Sequence, residues 1–485
     1  MRSHSFAIDQ EYFMNLSEQL STHQIFEVVG TCADQLDLET YVVGGFVRDL
    51  LLKRPNKDID FVAVGDGVAL ANRVTQLLGE NVNVTIYKNF GTAAIRFDDY
   101  EFEFVGARKE SYRHDSRKPI VAAGTLKEDQ ERRDFTINAM AICLNSNRYG
   151  ELIDPFDGTR DLRRKMLQTP LDADTTFSDD PLRMMRAIRF ATQLQFDIAP
   201  DTYDGIIRNV ERMTIVSAER ITDELNKIIV SNEPSYGFKL LYHSGLLAKV
   251  FPELAELQGV EVRNGQSHKD NFYHTLQVLD NISLETNDLW LRWAAILHDI
   301  AKPATKRFHP KAGWTFHGHE DKGARMVPKI FRRLRLPQNE KMRYVQKLVR
   351  LHLRPIPLVR DNITDAAVRR LLFEAGDDVD DLMTLCKADI TSKNHERVKR
   401  YIRNFEKVQE KMIKLEEKDH LRNFQPPVTG EKIMEVFKLK PGRVVGDIKE
   451  EIREAILDGT VPNEYEAAYK LMLEIGKKKG LEIAS

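Results

Sequence analysis

The hydrophobic pattern of this chain changes near residue 170, and that change constrains its folding more than any other feature. Before it, short runs with a two-residue period alternate with helical stretches. Tyr41-Val42-Val43 meets Gly44-Gly45 and then a helical stretch to Leu52. Asp58 to Val64, Val82 to Tyr87, Thr92 to Phe97 and Tyr100 to Val105 read as strands, and Val68 to Leu78 as a helix. Residues 9–38 read as one N-terminal helix. Beyond about residue 170 nearly every segment has a helical apolar period: 181–195, 202–212, 217–230, 235–250, 272–281, 289–300, 321–335, 340–352, 364–375 and 378–391. Pro426-Pro427 punctuates the chain before a last helical piece at 430–476. The expected fold class is α+β, a small α/β head followed by an extended all-helical remainder.

A length of 485 residues implies two to four domains with a substantial core. No run of eighteen uncharged apolar residues exists, so no membrane span is expected. Met1 to Asn15 has no apolar signal core. Cys32, Cys143 and Cys386 are odd in number and far apart, without metal or disulfide spacing, which points to a reducing cytoplasm. A formal net charge of −2 offers no global attraction for nucleic acid. Local charge overrules that average: Lys322 to Arg360 holds twelve Lys or Arg against one acid, Glu340. Such a run also suits a plain solvated helix face.

The head holds the strongest constellation. A strand running into Gly44-Gly45 and then a helix exposes backbone N–H groups to an anion, and glycine permits close approach. Asp58 and Asp60 lie two apart on a strand, so both carboxylates leave one face while Ile59 and Phe61 leave the other. Like charges so placed repel unless a cation binds them. A pair of divalent ions is the usual solution in enzymes that displace at phosphorus. Tyr100-Glu101-Phe102-Glu103-Phe104 repeats the alternation. If it neighbours the Asp58 strand, a glutamate completes the set, and Glu103 is the expected one. Read alone, the Asp pair also suits the exposed face of an edge strand.

These residues and four further stretches resemble the class II tRNA nucleotidyltransferase and bacterial poly(A) polymerase family. Gly44-Gly45-x-Val47-Arg48-Asp49 with Asp58-x-Asp60 resembles its metal motif. Arg132-Arg133-Asp134 through Asn138 resembles its sugar-reading segment. Asp154-Pro155-Phe156-Asp157-Gly158 with Asp161-Leu162 resembles its hinge. Asp179-Asp180-Pro181-Leu182-Arg183 with Arg186 and Arg189 resembles its base-reading helix, with Asp at position 179 where the family usually has Glu. Ser217-Ala218-Glu219-Arg220-Ile221 with Glu224 resembles the motif that buttresses that helix. The resemblance implies catalysis by Asp58, Asp60 and Glu103 with Mg²⁺ on Asp58 and Asp60. It implies nucleotide contacts from Gly44, Gly45, Arg48, Arg132, Asp134, Asn138, Asp180, Arg183, Arg186 and Arg189. Asp180 and Arg183, three apart, are expected on one helix face. Asp180 before Pro181 equally reads as a helix cap. The polar stretch Tyr112 to Pro119 is expected to be a loop that supports the change from CTP to ATP.

The helical part carries a second pattern. His274, His298-Asp299 and Asp389, in that order, resemble the HD metal-dependent phosphohydrolase domain, whose divalent transition metal those four residues are implied to hold. His317, His319 and His352 are possible extra ligands. Neighbouring side chains diverge by about 100° on a helix, so His298 and Asp299 must sit near a helix end, and Pro303 supplies one.

The expected division is 1–168 head with an N-terminal helix, 169–235 base-reading neck, 236–400 HD body and 401–485 RNA-binding tail, where Lys432, Lys438, Lys440 and Lys449 suit a phosphate backbone. The expected function is template-independent addition of CCA to the tRNA 3′ end from CTP and ATP, with a secondary HD phosphohydrolase activity and no membrane partner. Rival readings are a poly(A) polymerase, a partial enzyme adding only CC or only A, an HD phosphohydrolase with an RNA-binding head, and a non-catalytic RNA-binding protein.

Overall fold

Alternation of apolar and acidic residues in two strands organises the first part of the chain. The computed structural model describes residues 14–79, 82–87, 91–113, 116–360, 364–391, 395–419 and 425–483. Its strands are β1 (Thr40–Val43), β2 (Asp58–Ala63), β3 (Val84–Tyr87), β4 (Thr92–Phe97), β5 (Tyr100–Gly106), β6 (Arg108–Arg113), β7 (Ser116–Ala123), β8 (Ala141–Cys143) and β9 (Leu152–Ile153). Seven of them form one sheet in the order β3-β4-β5-β2-β1-β8-β9. β2 and β5 are parallel, with Asp58 opposite Glu101 and Asp60 opposite Glu103. All four carboxylates therefore leave one face.

The opposite face is aromatic. Phe61 stacks on Phe104 and Phe102, with ring centroids 4.9 Å and 6.0 Å away. Phe26 reaches it edge-on at 6.0 Å, from α2 (Ile25–Gln35). Further along the strands the acidic face itself turns apolar, where Tyr41, Val43, Val62, Ala141 and Cys143 pack with Val105 and Leu126. The carboxylates are thus confined to the start of each strand.

The single N-terminal helix expected over 9–38 is two helices, α1 (Ser17–Leu20) and α2; residues 9–13 lie outside the described ones. Ser21 and Thr22 donate their hydroxyls to the carbonyls of Glu18 and Gln19, which competes with helix continuation. The expected loop at Tyr112 to Pro119 falls in a hairpin of β6 and β7, with positions 114 and 115 outside the described residues.

The helices that follow in the same part are α3 (Gly45–Leu51), α4 (Gly67–Leu78), α5 (Leu126–Glu131), α6 (Gly158–Arg164), α7 (Ala173–Asp179), α8 (Leu182–Leu194), α9 (Pro200–Asn209) and α10 (Ala218–Ile229). Next come α11 (Pro234–His243), α12 (Leu246–Val250), α13 (Pro252–Ala255), α14 (Asn271–Ser283), α15 (Leu289–Leu297), α16 (Lys302–Thr305), α17 (His319–Arg333) and α18 (Glu340–Leu351). The last are α19 (Pro355–Arg360), α20 (Asp365–Ala375), α21 (Val379–Ala388), α22 (His395–Asp419), α23 (Gly430–Phe437), α24 (Arg443–Leu457) and α25 (Tyr465–Lys478). The expected stretch 235–250 breaks at Gly245, whose φ is +82°. The expected stretch 430–476 breaks into α23, α24 and α25. Lys438 takes a left-handed conformation, and Pro441-Gly442 and Gly459 end the remaining continuity. No helix among the described residues is long and apolar enough to cross a membrane.

By internal contacts the chain forms two units. One comprises Met1–Ile228 with Lys239–Val250, the other Ile229–Phe238 with Phe251–Ser485. In the second, Arg292 is 1% exposed and donates to the carbonyls of Ile229, Ser231, Ser283 and Thr286. It satisfies helix-end carbonyls that apolar packing would leave unbonded.

Phe61 underlies the carboxylate strands. Phe61→Ala is expected to lower stability by about 3–5 kcal/mol, measured by urea unfolding followed by far-UV circular dichroism. A loss below about 1 kcal/mol would show that the aromatic stack does not hold this sheet.

Candidate active site

Asp58 and Asp60 open into a cavity of about 440 Å³. Its lining includes Gly44, Gly45, Arg48, Asn56, Arg132, Arg133, Asp134, Asn138, Asp180, Arg183, Arg186, Arg189, Phe190 and Arg220. Seven of the lining residues are arginines and four are aspartates, so the cavity wall is net basic and suits a polyanion such as a triphosphate. Every nucleotide-contact residue expected from the sequence lies in it. Glu103 does not: it stands one strand away, in register with Asp60 on the same face. Asp58, Asp60 and Glu103 do not draw into a three-ligand cluster as the body's histidines do.

The acidic face is electrostatically unfavourable by itself. Burial, and then the neighbouring Asp58, raise the pKa of Asp60 against the pull of Arg133. Burial, and then Asp60, raise that of Glu103. A divalent cation relieves both effects, so these donors fit magnesium.

Gly44 turns the chain from β1 into α3 with φ +75°. A Cβ there would also come within 3.0 Å of Arg133 Nη1. Buried acids fix the arginines. Arg48 donates from Nε and Nη2 to Asp49 at 2.9 and 2.8 Å and from Nη1 to Asn138 at 2.9 Å. Asp129 is fully buried and holds Arg132 through one oxygen and Arg133 through the other, at 2.9 and 3.0 Å. Asp134 accepts from Asn138 at 3.0 Å and Arg186 at 2.7 Å. Burial opposes its charge, yet Arg186 and Asn138 hold its pKa at about 2.

Asp180 is not on the base-reading helix as expected. It lies extended between α7 and α8, because a residue before proline is excluded from helical geometry. Its Oδ1 accepts the Leu182 N–H at 3.1 Å, as a cap does. Its Oδ2 is 3.6 Å from Arg220. Arg183 is anchored on the carbonyls of Thr176 and Arg132 at 3.3 and 2.5 Å. Asp180 and Arg183 therefore meet at the cavity by anchoring rather than by helical spacing. Arg189 contacts Glu224 of α10 at 2.6 Å, and burial lowers its pKa to about 10, which leaves it cationic at neutral pH.

Sequence reasoning missed Asp129 and Phe190. Three guanidinium groups surround the Phe190 ring, those of Arg189, Arg48 and Arg186 at 3.9, 5.0 and 5.3 Å. An acid three residues before an Arg-Arg pair was the available signal for Asp129. Phe190 reads as ordinary core. The hinge-like motif is pinned by Asp154, which accepts from the N–H groups of Gly158 and Thr159, and by buried Asp161, which takes the Thr136 hydroxyl.

The second unit gathers His274, His298, Asp299 and Asp389, as expected. His319 and His352 join them; His317 is exposed and does not. α15 ends at Leu297, so His298 and Asp299 occupy the required helix end. His298 Nε2 is buried 3.2 Å from Asp299 Oδ2, and the imidazole and carboxylate donors gathered here fit a divalent transition metal. Burial works against charge on His298, but Asp299 raises its pKa. Burial, and then His298, push that of His352 down to about 4.

The chain is 32% identical over 441 residues to the A-adding tRNA nucleotidyltransferase of Deinococcus radiodurans, covering 88% of this chain and 93% of that one. The chain belongs to the tRNA nucleotidyltransferase/poly(A) polymerase family. Residues 40–168 match the poly A polymerase head domain, 195–258 the "Probable RNA and SrmB- binding site of polymerase A", and 271–393 the HD domain. The multifunctional CCA protein of Nitrosococcus oceani is 33% identical over 376 residues, covering 74% of this chain and 86% of its own. The fold is that of the Bacillus stearothermophilus CCA-adding enzyme solved with CTP, at TM-score 0.68, 23% identity and 94% and 98% coverage.

The Asp134 network generates a pH signature. A carboxylate held at about 2, against an ordinary 3.8, contributes stability above about pH 4 and loses it as pH falls toward 2. That difference is worth roughly 2 kcal/mol. Between pH 5 and 2 the wild type is expected to lose about 2 kcal/mol more than Asp134→Asn, by urea unfolding at each pH. Parallel curves would show that Asp134 carries no net stabilising charge.

Proposed function

We propose that this chain is a template-independent CCA-adding enzyme that extends the 3′ end of tRNA from CTP and ATP and releases pyrophosphate. The observation that carries this reading is one cavity holding two strand carboxylates, seven arginines and an anchored Asp180/Arg183 pair. Asp58 and Asp60, with Glu103 from the next strand, would hold magnesium, whose charge would lower the pKa of the RNA 3′-hydroxyl and neutralise the triphosphate. Arg132 and Arg133, fixed by Asp129, bind triphosphate oxygens. Asp134, Asn138 and Arg48 face the ribose, and Gly44 and Gly45 admit the phosphates to the backbone. Little covalent work falls to the protein, so its part is to orient the two reactants.

Base choice rests on Asp180 and Arg183, steadied by Arg186, Arg189 and Arg220. Cytosine and adenine each present an amino donor beside a ring acceptor. A carboxylate and a guanidinium complement both. Uracil and guanine put a carbonyl and an N–H in those places, and unpaired buried polar groups then reject them. We divide the labour as head 1–168, neck 169–235, body 236–400 and tail 401–485, with the tail gripping tRNA. The body's metal ligands serve a second activity, hydrolysis of phosphomonoesters or cyclic phosphates. We place the reaction in the cytoplasm, which suits three free buried cysteines.

A second reading is favoured by the long match to the A-adding Deinococcus radiodurans enzyme: this chain adds only the terminal adenosine. Incubating tRNA that ends before CCA, with CTP and ATP separately and together, separates the two. Three added residues, C, C and A, are expected. A product that forms only on tRNA ending in CC supports the second reading, and a long A tail contradicts both. Asp58→Ala with Asp60→Ala is expected to abolish addition while hydrolysis of p-nitrophenyl phosphate persists. Addition that survives the double substitution would remove those carboxylates from the reaction.

A further inference from the structure

The second unit concentrates its positive charge on one pair of helices. The run from Lys322 to Arg360 holds twelve Lys or Arg against Glu340 alone, in a chain whose formal net charge is −2. The tail from 401 to 485 holds sixteen groups of each sign, so the surplus does not lie there. We infer that the cleft between α17 and α18 binds the phosphate backbone of RNA. The inference rests on the tRNA reading above and names a further surface that holds the same RNA.

Apolar packing makes the cleft. Val327, Ile330 and Phe331 of α17 and Val345, Leu348 and Val349 of α18 are buried, and the two helices pack against each other. Gly323 brings them close, since a Cβ there would stand 3.2 Å from Val349 Cγ1. Gln346 Nε2 donates to the Ala324 carbonyl at 2.8 Å and ties the pair at that level. With the apolar stripes turned inward, the helical period turns the cations outward. Arg325, Lys329 and Arg332 share one face of α17 at spacings of four and three, and Arg343, Lys347 and Arg350 share one face of α18 in the same way. Each row runs about 10.5 Å along its helix.

Arg325, Arg343, Lys347 and Arg350 line a cavity of about 500 Å³, with Asp321 as its one acid. Lys347 is held by Asp378 at 2.7 Å. The three arginines are exposed, and among the described residues their side chains have no hydrogen-bond or ion-pair partner. The head differs, because Arg48, Arg132, Arg133 and Arg186 each rest on a buried acid. The cavities on either side of this one are not basic. The one with Arg354 and Arg370 has three basic and three acidic wall residues, and the one with Trp290 has three and four. Free guanidinium groups around one cavity present paired donors that match phosphate oxygens. A row of cations two helical turns long exceeds the span of one phosphate, whereas a polynucleotide supplies phosphates in succession.

The full chain is titrated into fluorescently labelled tRNA lacking its CCA end, with binding read by anisotropy at KCl from about 50 to 300 mM. Wild type is compared with the triple variant Arg325→Gln, Arg343→Gln, Arg350→Gln, and with Arg325→Lys, Arg343→Lys, Arg350→Lys, which keeps the charge. The Gln variant is expected to bind about 10–100-fold more weakly and to lose about 2–3 from the slope of log Kd against log salt. The Lys variant is expected to stay within about 3-fold of wild type. Equal affinity and slope for wild type and the Gln variant overturn the inference and leave the tRNA reading standing. They do so even where the Gln variant loses affinity for inorganic tripolyphosphate, which marks a site for a small polyanion instead. An equal loss in the Lys variant shows damage to the helix pair and also overturns the inference. A wild type that binds no tRNA overturns both readings.

Discussion

Repulsion among carboxylates on one face of a parallel strand pair governs this molecule's chemistry. Strand alternation sends Ile59, Phe61, Phe102 and Phe104 into an aromatic core. It thereby forces Asp58, Asp60, Glu101 and Glu103 onto the other side. The core cannot form without creating the acidic face. Partial burial then makes the charges costlier, as the raised pKa values of Asp60 and Glu103 record. The fold itself therefore prepares a demand for cations beside the arginine-lined cavity.

The arginines answer the opposite problem. Seven guanidinium groups around one cavity repel one another, and each long side chain has rotamer freedom to lose. Buried acids solve both difficulties. Asp49, Asp129, Asp134 and Glu224 each grip one or two arginines from behind, and Phe190 offers its ring to three. The cations stay aimed at the cavity before any nucleotide arrives. Such preorganisation is how an enzyme that does little covalent work gains rate. In the second unit, backbone carbonyls behind His298, His319 and His352 lie 2.7 Å from each Nδ1 and so turn each Nε2 inward.

Much of this was legible in the sequence because period-two and period-3.6 patterns are local. The positions of β2, β4 and β5, the glycine turn, the shared face of Asp58 and Asp60 and the helix end at His298 follow from local side-chain direction, whereas the adjacency of β5 and β2 was only the condition on which Glu103 was chosen. What was not legible depended on partners distant in sequence or on competition between them. The break between α1 and α2 arises from two hydroxyls taking helix carbonyls. Asp180 was expected on a helix, but Pro181 holds it extended, and Thr176 and Arg132 instead position Arg183 beside it. Phe190 gave no outward sign, since its value lies in which arginines the fold brings to it. His319 and His352 were named as possible extra ligands, but that they join the cluster while His317 does not turns on a contact across 33 positions, which spacing alone does not reveal.

The claim at the centre of this account is that Asp58 and Asp60 bind the ions that nucleotide transfer requires. Crystals soaked with Mn²⁺ and a non-hydrolysable CTP analogue test it directly through anomalous scattering. The account predicts manganese density bridging the two aspartates and the analogue's phosphates on the cavity side of β2. Bound analogue with no manganese at those carboxylates would contradict it.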